Sequence, residues 1–98
     1  MRLRFSALAR QDLIEIGDYI ANDNRAAARK YVAGLRACCA ALARFPKQYP
    51  ACPDYGENLR RGAFRSHDIY YSIVEDMIVI ERIIHSMRDA RQITFPKP

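Results

Sequence analysis

The chain has 98 residues, with 16 lysines and arginines against 11 acidic residues, so its formal net charge is +5. A chain of this length has room for one hydrophobic core, and we predict a single domain over residues 1–98. The longest wholly apolar stretch, ACCAALA at 37–43, is too short to cross a bilayer. The N-terminus lacks the apolar core of a secretory signal, so we expect a cytoplasmic protein without membrane contact.

The three cysteines do not form a disulfide framework or a zinc site. Cys38 and Cys39 are adjacent and Cys52 stands alone, so the count is odd and no C-x-x-C pair exists. His67 and His85 lack a nearby ligand pattern, and the four glycines are too scattered for a phosphate-binding loop. We therefore expect free thiols, no metal and no cofactor.

Arginine dominates the positive charge, with 13 of the 16 basic residues. The guanidinium group pairs with phosphates and carboxylates through two parallel hydrogen bonds. This composition points to a nucleic acid or an acidic protein as partner.

The N-terminal quarter predicts a strand followed by a helix. Residues 2–5 alternate between basic and apolar side chains, and Ser6 is typical of a helix N-cap. In residues 7–23 the apolar residues have helical spacing. The apolar stripe of this helix consists of Ala9, Leu13, Ile16 and Ile20. Its acidic residues are Asp12, Glu15, Asp18 and Asp23. Asp23 and Asn24 are suited to end this helix and to cap the next.

A second helix is predicted over 25–44. Its apolar stripe is Ala28, Tyr31, Val32, Leu35, Cys38, Cys39 and Leu42, with Phe45 at the end. The charged residues of this helix, on the opposite face, are all basic: Arg25, Arg29, Lys30, Arg36 and Arg44. An acidic helix followed by a basic one indicates an antiparallel hairpin, whose basic face is either solvated or a docking surface.

The rest of the chain predicts a proline-rich loop and three strands. The loop spans 46–58, the strands span 59–64, 69–74 and 77–85, and the turns lie at 66–68 and 75–76. Short turns make these strands an antiparallel meander, and the first strand must join it to be stable. We predict an α+β fold of order β-α-α-β-β-β, an antiparallel sheet packed against a helical hairpin.

One interpretation of the last strand is a metal-free ribonuclease. Attack by the RNA 2′-hydroxyl needs a general base, a general acid and cations for the phosphate charge. His85 is the candidate acid or base, whereas His67 falls in a predicted turn. The basic residues available are Arg61, Arg65, Arg82 and Arg88. The set lacks a second acid or base unless Tyr70 or Tyr71 lies on the same surface, and alternation places Tyr71 with the core.

The same residues also have a structural interpretation. His85 ends an apolar strand, as a hydrogen-bonded structural histidine does. Arg82 lies inside that strand, where alternation predicts that it shares a face with Ile78, Ile80 and Ile84. If that face is buried, Arg82 needs a carboxylate, with Asp12 among the candidates. Arg88 and Asp89 are adjacent and would form a local ion pair.

Several segments resemble ParE-type toxins of toxin–antitoxin pairs, within the RelE/ParE superfamily. They are FSALARQDLIEIGDYI at 5–20, AAARKYVAGL at 26–35, LARFP at 42–46, LRRGAFRSHDIYYSI at 59–73 and RIIHSMRDAR at 82–91. The most specific feature is the combination of Asp-Leu-x-x-Ile-x-x-Tyr-Ile in the first helix with His-x-x-Arg-Asp after the last strand. The resemblance implies the same fold as the pattern does.

The resemblance also implies a partner. This is a cognate ParD-like antitoxin, whose acidic C-terminal segment folds onto the toxin in a hetero-oligomer. Operator DNA would be contacted only through the antitoxin. We predict antitoxin contacts at Ile14, Arg29, Arg36, Arg60, Arg61 and Arg65, with Ile14 on the side of its helix opposite the core stripe.

ParE-like proteins are associated with poisoning DNA gyrase, whereas RelE-like relatives cut messenger RNA on the ribosome. The motifs look like the ParE branch, so we predict a gyrase inhibitor that is not an enzyme. Its target contacts are predicted at Arg88, Arg91 and Phe95. The alternative is a RelE-like endoribonuclease using His85 with Arg61, Arg65 and Arg88. A third interpretation is a degenerate relative that only binds its antitoxin and regulates its operon.

Overall fold

The computed structural model describes residues 1–53, 55–56 and 58–96. Positions 54 and 57 of the predicted loop, and 97–98 at the end of the predicted domain, lie outside these ranges. The elements are β1 (Arg2–Phe5), α1 (Ala7–Ala21), α2 (Arg25–Arg44), β2 (Leu59–Phe64), β3 (His67–Val74) and β4 (Met77–His85), followed by a 3-10 turn at Ala90–Gln92. The predicted α+β order β-α-α-β-β-β is confirmed.

The four strands form one sheet in the order β1-β4-β3-β2. The pairs β2–β3 and β3–β4 are antiparallel, as the short turns predict, whereas β1 pairs with β4 in parallel. The sheet is therefore mixed rather than wholly antiparallel. No hairpin joins β1 to β4, so the direction of β1 is set by its packing and not by a turn.

The turn between β2 and β3 lies at residues 65–66, so the prediction of a turn over 66–68 was wrong. Arg65 adopts a φ of 52°, which gives the left-handed backbone of a tight hairpin without a glycine. His67 and Asp68 are consequently strand residues, and His67 is the cross-strand partner of His85.

Both helices pack on one face of the sheet and bury the main core there. Its buried members are Ala9, Leu13, Leu35, Cys39, Leu42, Ile69, Tyr71, Ile78, Ile80 and Ile83. The predicted core position of Tyr71 is confirmed, and its hydroxyl donates to the Pro46 carbonyl at 2.8 Å. All three cysteines are free thiols, and burial raises the pKa of Cys39 to about 12.

The predicted helix caps are confirmed. The Ser6 side chain accepts the Ala9 N–H at 3.0 Å, and the Asn24 side chain accepts the Ala27 N–H at 3.0 Å. Each cap satisfies a backbone donor that has no partner within its helix. Within the described residues, no helix is both long enough and apolar enough to cross a membrane.

A bulge in β4 changes the strand alternation. Tyr70 pairs with Arg82 but Tyr71 pairs with Ile80, so Glu81 is an extra residue. After the bulge, Ile83 continues the helix-side row of Ile78 and Ile80. The predicted row of Arg82 with Ile78, Ile80 and Ile84 was therefore wrong, since an inserted residue moves later side chains to the other face.

The sheet face opposite the helices carries a second, smaller cluster. It comprises the buried residues Leu59, Tyr70, Ile84 and Ile93, with Tyr55 and Phe95 packed against them. Because Ile93 and Phe95 follow β4, the C-terminal segment packs across this outer face.

Candidate functional site

The C-terminal segment begins with Arg88, which lies at the end of the sheet. Its predicted ion pair with Asp89 is absent from the ion pairs of the described residues. Asp89 instead binds Arg91, with its Oδ2 3.0 Å from Nη2 and its Oδ1 accepting the Arg91 backbone N–H at 3.0 Å. Hydrogen bonding from the Arg91 side chain, followed by the bond from the Arg91 backbone N–H, lowers the pKa of Asp89. Arg88 is thus available at the surface.

Phe95 is anchored rather than freely exposed. It is half-buried, and its ring meets the Tyr70 ring edge-on at a centroid distance of 5.2 Å. The neighbouring Thr94 carbonyl accepts a hydrogen bond from the Arg82 guanidinium. Of the three predicted target contacts, the structure places Arg88 and Arg91 outward and uses Phe95 to hold the segment.

A pocket of about 410 Å³ lies between α1 and the end of the sheet, and Arg88 lines it. The apolar part of its wall comes from Ile16, Ile20, Ile83 and Ile84. Its polar groups are Asp12, Glu15, Tyr19, Tyr31, Ser66, His67, His85 and Arg88. The pocket therefore brings His85 and Arg88 together, as the nuclease interpretation requires.

Two histidines are in contact in this pocket. The centroids of the His67 and His85 rings are 5.3 Å apart, and His67 Nδ1 lies 2.7 Å from the Tyr31 hydroxyl. His85 Nδ1 accepts the Met87 N–H at 3.1 Å. Burial, followed by the nearby His85, lowers the pKa of His67. His67 and Tyr31 were not selected from the sequence because their contact depends on strand register and helix packing.

The remaining arginines of the nuclease alternative, Arg61 and Arg65, do not line this pocket. Arg61 pairs with Tyr70 across β2 and β3, and a hydrogen bond with the Tyr70 side chain raises the pKa of Arg61. Arg65 stands in the turn, with its guanidinium 5.6 Å from the centroid of the Phe64 ring. Neither Tyr70 nor Tyr71 lines the pocket that contains His85. Of the four proposed catalytic residues, His85 and Arg88 line this pocket and Arg61 and Arg65 do not.

The outer side of the helical hairpin carries a separate groove of about 530 Å³. Its lining is small or apolar between basic residues: Gly17, Ala21, Ala28, Val32 and Ala33 with Arg25, Arg29 and Arg36. Ile14 precedes Gly17 by one turn of α1 and is 55% exposed. The predicted antitoxin contacts Ile14, Arg29 and Arg36 thus share the exposed side of one hairpin.

The other predicted antitoxin contacts lie on or beside the edge strand β2. Arg60 Nη1 donates to the Tyr49 carbonyl at 2.6 Å, which ties this side chain to the preceding loop. Arg61 and Arg65 are exposed. The six predicted residues therefore divide between the exposed side of the hairpin and β2 with the turn that follows it, and Arg60 has a structural contact.

The chain is similar to a known protein family in sequence and to a solved structure in fold. Residues 3–90 match the family described as ParE toxin of type II toxin-antitoxin system, parDE. A solved structure titled "Chromosomal ParDE TA system from P. aeruginosa" aligns with a TM-score of 0.75 and 22% identity, over 87% of this chain and 95% of that chain. No curated protein matches the sequence at a significant level. The structural likeness shows the fold, and the match over residues 3–90 shows that the chain belongs to the ParE toxin family of type II toxin–antitoxin systems.

Proposed function

We propose that this ParE-type toxin inhibits DNA gyrase by binding it, without catalysing a reaction, and that a ParD-like antitoxin neutralises it. The observation that carries the proposal is that neither Arg61 nor Arg65 lines the pocket of His85 and Arg88. General acid–base cleavage needs groups within hydrogen-bond reach of one substrate, and this arrangement favours binding over cleavage. The target surface is the exposed C-terminal segment at Arg88 and Arg91.

The hairpin groove is the proposed antitoxin site. Its apolar lining and its arginine rim fit an amphipathic acidic segment, which buries apolar side chains while its carboxylates meet the guanidinium groups. The +5 net charge favours the approach of an acidic segment. The resulting hetero-oligomer contacts operator DNA through the antitoxin.

Titration calorimetry with the ParD-like antitoxin tests this site. We expect Arg29→Glu and Ile14→Asp each to weaken binding by about tenfold or more, since each places an acid against an acidic or apolar partner. Lys47→Glu makes a similar charge reversal at an exposed loop residue outside the groove and should leave affinity within about twofold. Equal weakening by Lys47→Glu would indicate a general charge effect and would remove the groove from the proposal.

The second candidate is a ribosome-dependent endoribonuclease, favoured by the shared pocket of His85, His67 and Arg88. It predicts that His85→Ala abolishes cleavage of messenger RNA while antitoxin binding survives. RNA that stays intact while the wild-type toxin stops growth would exclude it.

A further inference from the structure

A pocket of about 350 Å³ lies under the C-terminal segment, apart from both sites described above. Its lining comes from the loop, from the sheet and from the segment itself: Tyr55, Gly56, Asn58, Leu59, Ser72, Ile73, Val74, Glu81, Phe95 and Pro96. Most of this lining is apolar or aromatic. This volume lies at the small end of the range of ligand pockets and has room for a long side chain.

Glu81 is the one charged group among the described residues that line this pocket. The β4 bulge places it there as the extra residue opposite Tyr70 and Tyr71. Its Oε2 accepts the Ser72 hydroxyl at 2.7 Å, and Ser72 is 7% exposed. Glu81 takes part in none of the ion pairs found across the described ranges. Among the residues that the structure describes, this half-buried carboxylate is thus held in place without a cation.

The walls of the pocket suit a cation as well. Tyr55 and Phe95 both line it, and aromatic faces attract a guanidinium or ammonium group. A carboxylate shielded from water forms stronger charge-assisted hydrogen bonds than one at the open surface. On a chain of net charge +5, this pocket is a local site of the opposite sign.

We propose that the pocket receives an arginine side chain of a protein partner. The planar guanidinium stacks on aromatic rings and binds a carboxylate at two points, and its long apolar stem suits the contact with Leu59 and Val74. The pocket is completed by Phe95 and Pro96 of the C-terminal segment, so its occupant covers the outer face of the sheet. The assignment does not rest on the proposed function, and its test needs neither gyrase nor antitoxin.

The test is a titration of the isotope-labelled full chain with N-acetyl-arginine amide, followed by amide NMR shifts. We expect saturable shifts at Asn58, Ser72 and Glu81, and an affinity about tenfold lower for Glu81→Gln, which keeps the side-chain size but removes the charge. Glu75→Gln makes the same change at an exposed turn and should leave the affinity unchanged. N-acetyl-norleucine amide, which lacks the cation, should not saturate the site.

A second variant tests the pocket independently of whether Glu81→Gln folds. Val74 is 47% exposed and lines the pocket, so Val74→Arg brings a guanidinium to Glu81 from within the chain. We expect this variant to fold and to lose the saturable shifts because the pocket is already filled. Absence of saturable shifts in the wild-type chain, or equal affinity in Glu81→Gln and wild type, would overturn the proposal.

Discussion

Asp12 and Arg82 lie 70 positions apart in the chain and form a buried ion pair, with Arg82 Nε 2.8 Å and Nη2 2.9 Å from the two carboxylate oxygens. The same carboxylate accepts the Ile83 backbone N–H at 2.9 Å. Pairing of β1 with β4 ends at Ile80, so Asp12 takes the place of a neighbouring strand beyond it. The Asp12 side chain thereby holds α1 to the end of β4 that carries His85.

Removing one member of this pair should strongly destabilise the fold. We expect Asp12→Ala to lower the free energy of unfolding by about 3–5 kcal/mol, because Arg82 then stays buried without its carboxylate. Urea unfolding followed by circular dichroism measures the change. The paired replacement Asp12→Leu with Arg82→Met should cost less than the single change, since it leaves no unpaired buried charge.

The control for this prediction is Asp89→Ala, which breaks the exposed pair with Arg91. This pair is open to solvent, so we expect no measurable change in unfolding. Similar losses in Asp12→Ala and Asp89→Ala would show that burial does not decide the strength of these pairs.

The lowered pKa of His67 makes stability depend on pH. In the unfolded chain the imidazole takes up its proton near pH 6.5, whereas the folded chain resists protonation until a lower pH. The unfolded state therefore binds more protons between these two pKa values. The contribution of neutral His67 to stability is therefore complete above its pKa in the unfolded chain. It is lost as the pH falls toward its lower pKa in the folded chain.

Unfolding measured at pH 7.5 and at successively lower pH values tests this sign. NMR titration of the imidazole signals gives the folded pKa directly. His85→Gln should bring the pKa of His67 back toward its ordinary value, because His85 is the second cause of the shift after burial. A folded pKa above 6.5 in the wild-type chain would contradict the account.

Replacing each of two helical glycines by alanine should change the free energy of unfolding in different directions. A Cβ on Gly34 would lie 2.6 Å from Cζ of Phe64, whose ring packs on Tyr31. A Cβ on Gly17 would meet Val32 at 3.4 Å, an ordinary contact. We expect Gly34→Ala to lose about 1–2 kcal/mol of unfolding free energy through overpacking. Gly17→Ala should be neutral or gain up to about 1 kcal/mol from helix propensity. Thermal unfolding of the two variants checks this, and a stabilised Gly34→Ala would show that the Phe64 ring yields freely.

The C-terminal segment separates an anchor from a contact surface. Phe95→Ala should lower the free energy of unfolding by about 1–3 kcal/mol, because it uncovers Tyr70 and removes the edge-on ring contact.

Arg88→Glu should leave unfolding unchanged and should abolish growth inhibition, since Arg88 is an exposed member of the proposed target surface. Urea unfolding and growth of expressing cells measure the two effects. An Arg88→Glu toxin that still stops growth would remove Arg88 from the surface.

The sequence predicted the features that depend on local pattern. The strands apart from the start of β3, both helix caps and the need of Arg82 for a carboxylate from the first helix follow from periodicity and from the need to pair a buried charge. The bulge at Glu81 and the left-handed Arg65 carry no such local signal, and they change which side chains share a face. The contact of Tyr31 with His67 and the Glu81 pocket depend on that register, so they emerge only from the folded chain.

The central claim is that this ParE-type toxin binds and inhibits DNA gyrase. The most direct measurement is a plasmid supercoiling assay with the purified chain, gyrase, ATP and circular DNA, with and without the antitoxin. We expect blocked supercoiling or trapped cleaved DNA, reversed by the antitoxin and absent with the Arg88→Glu variant. Normal supercoiling by gyrase, in the presence of a chain that still stops growth, would contradict it and would favour RNA cleavage at His85.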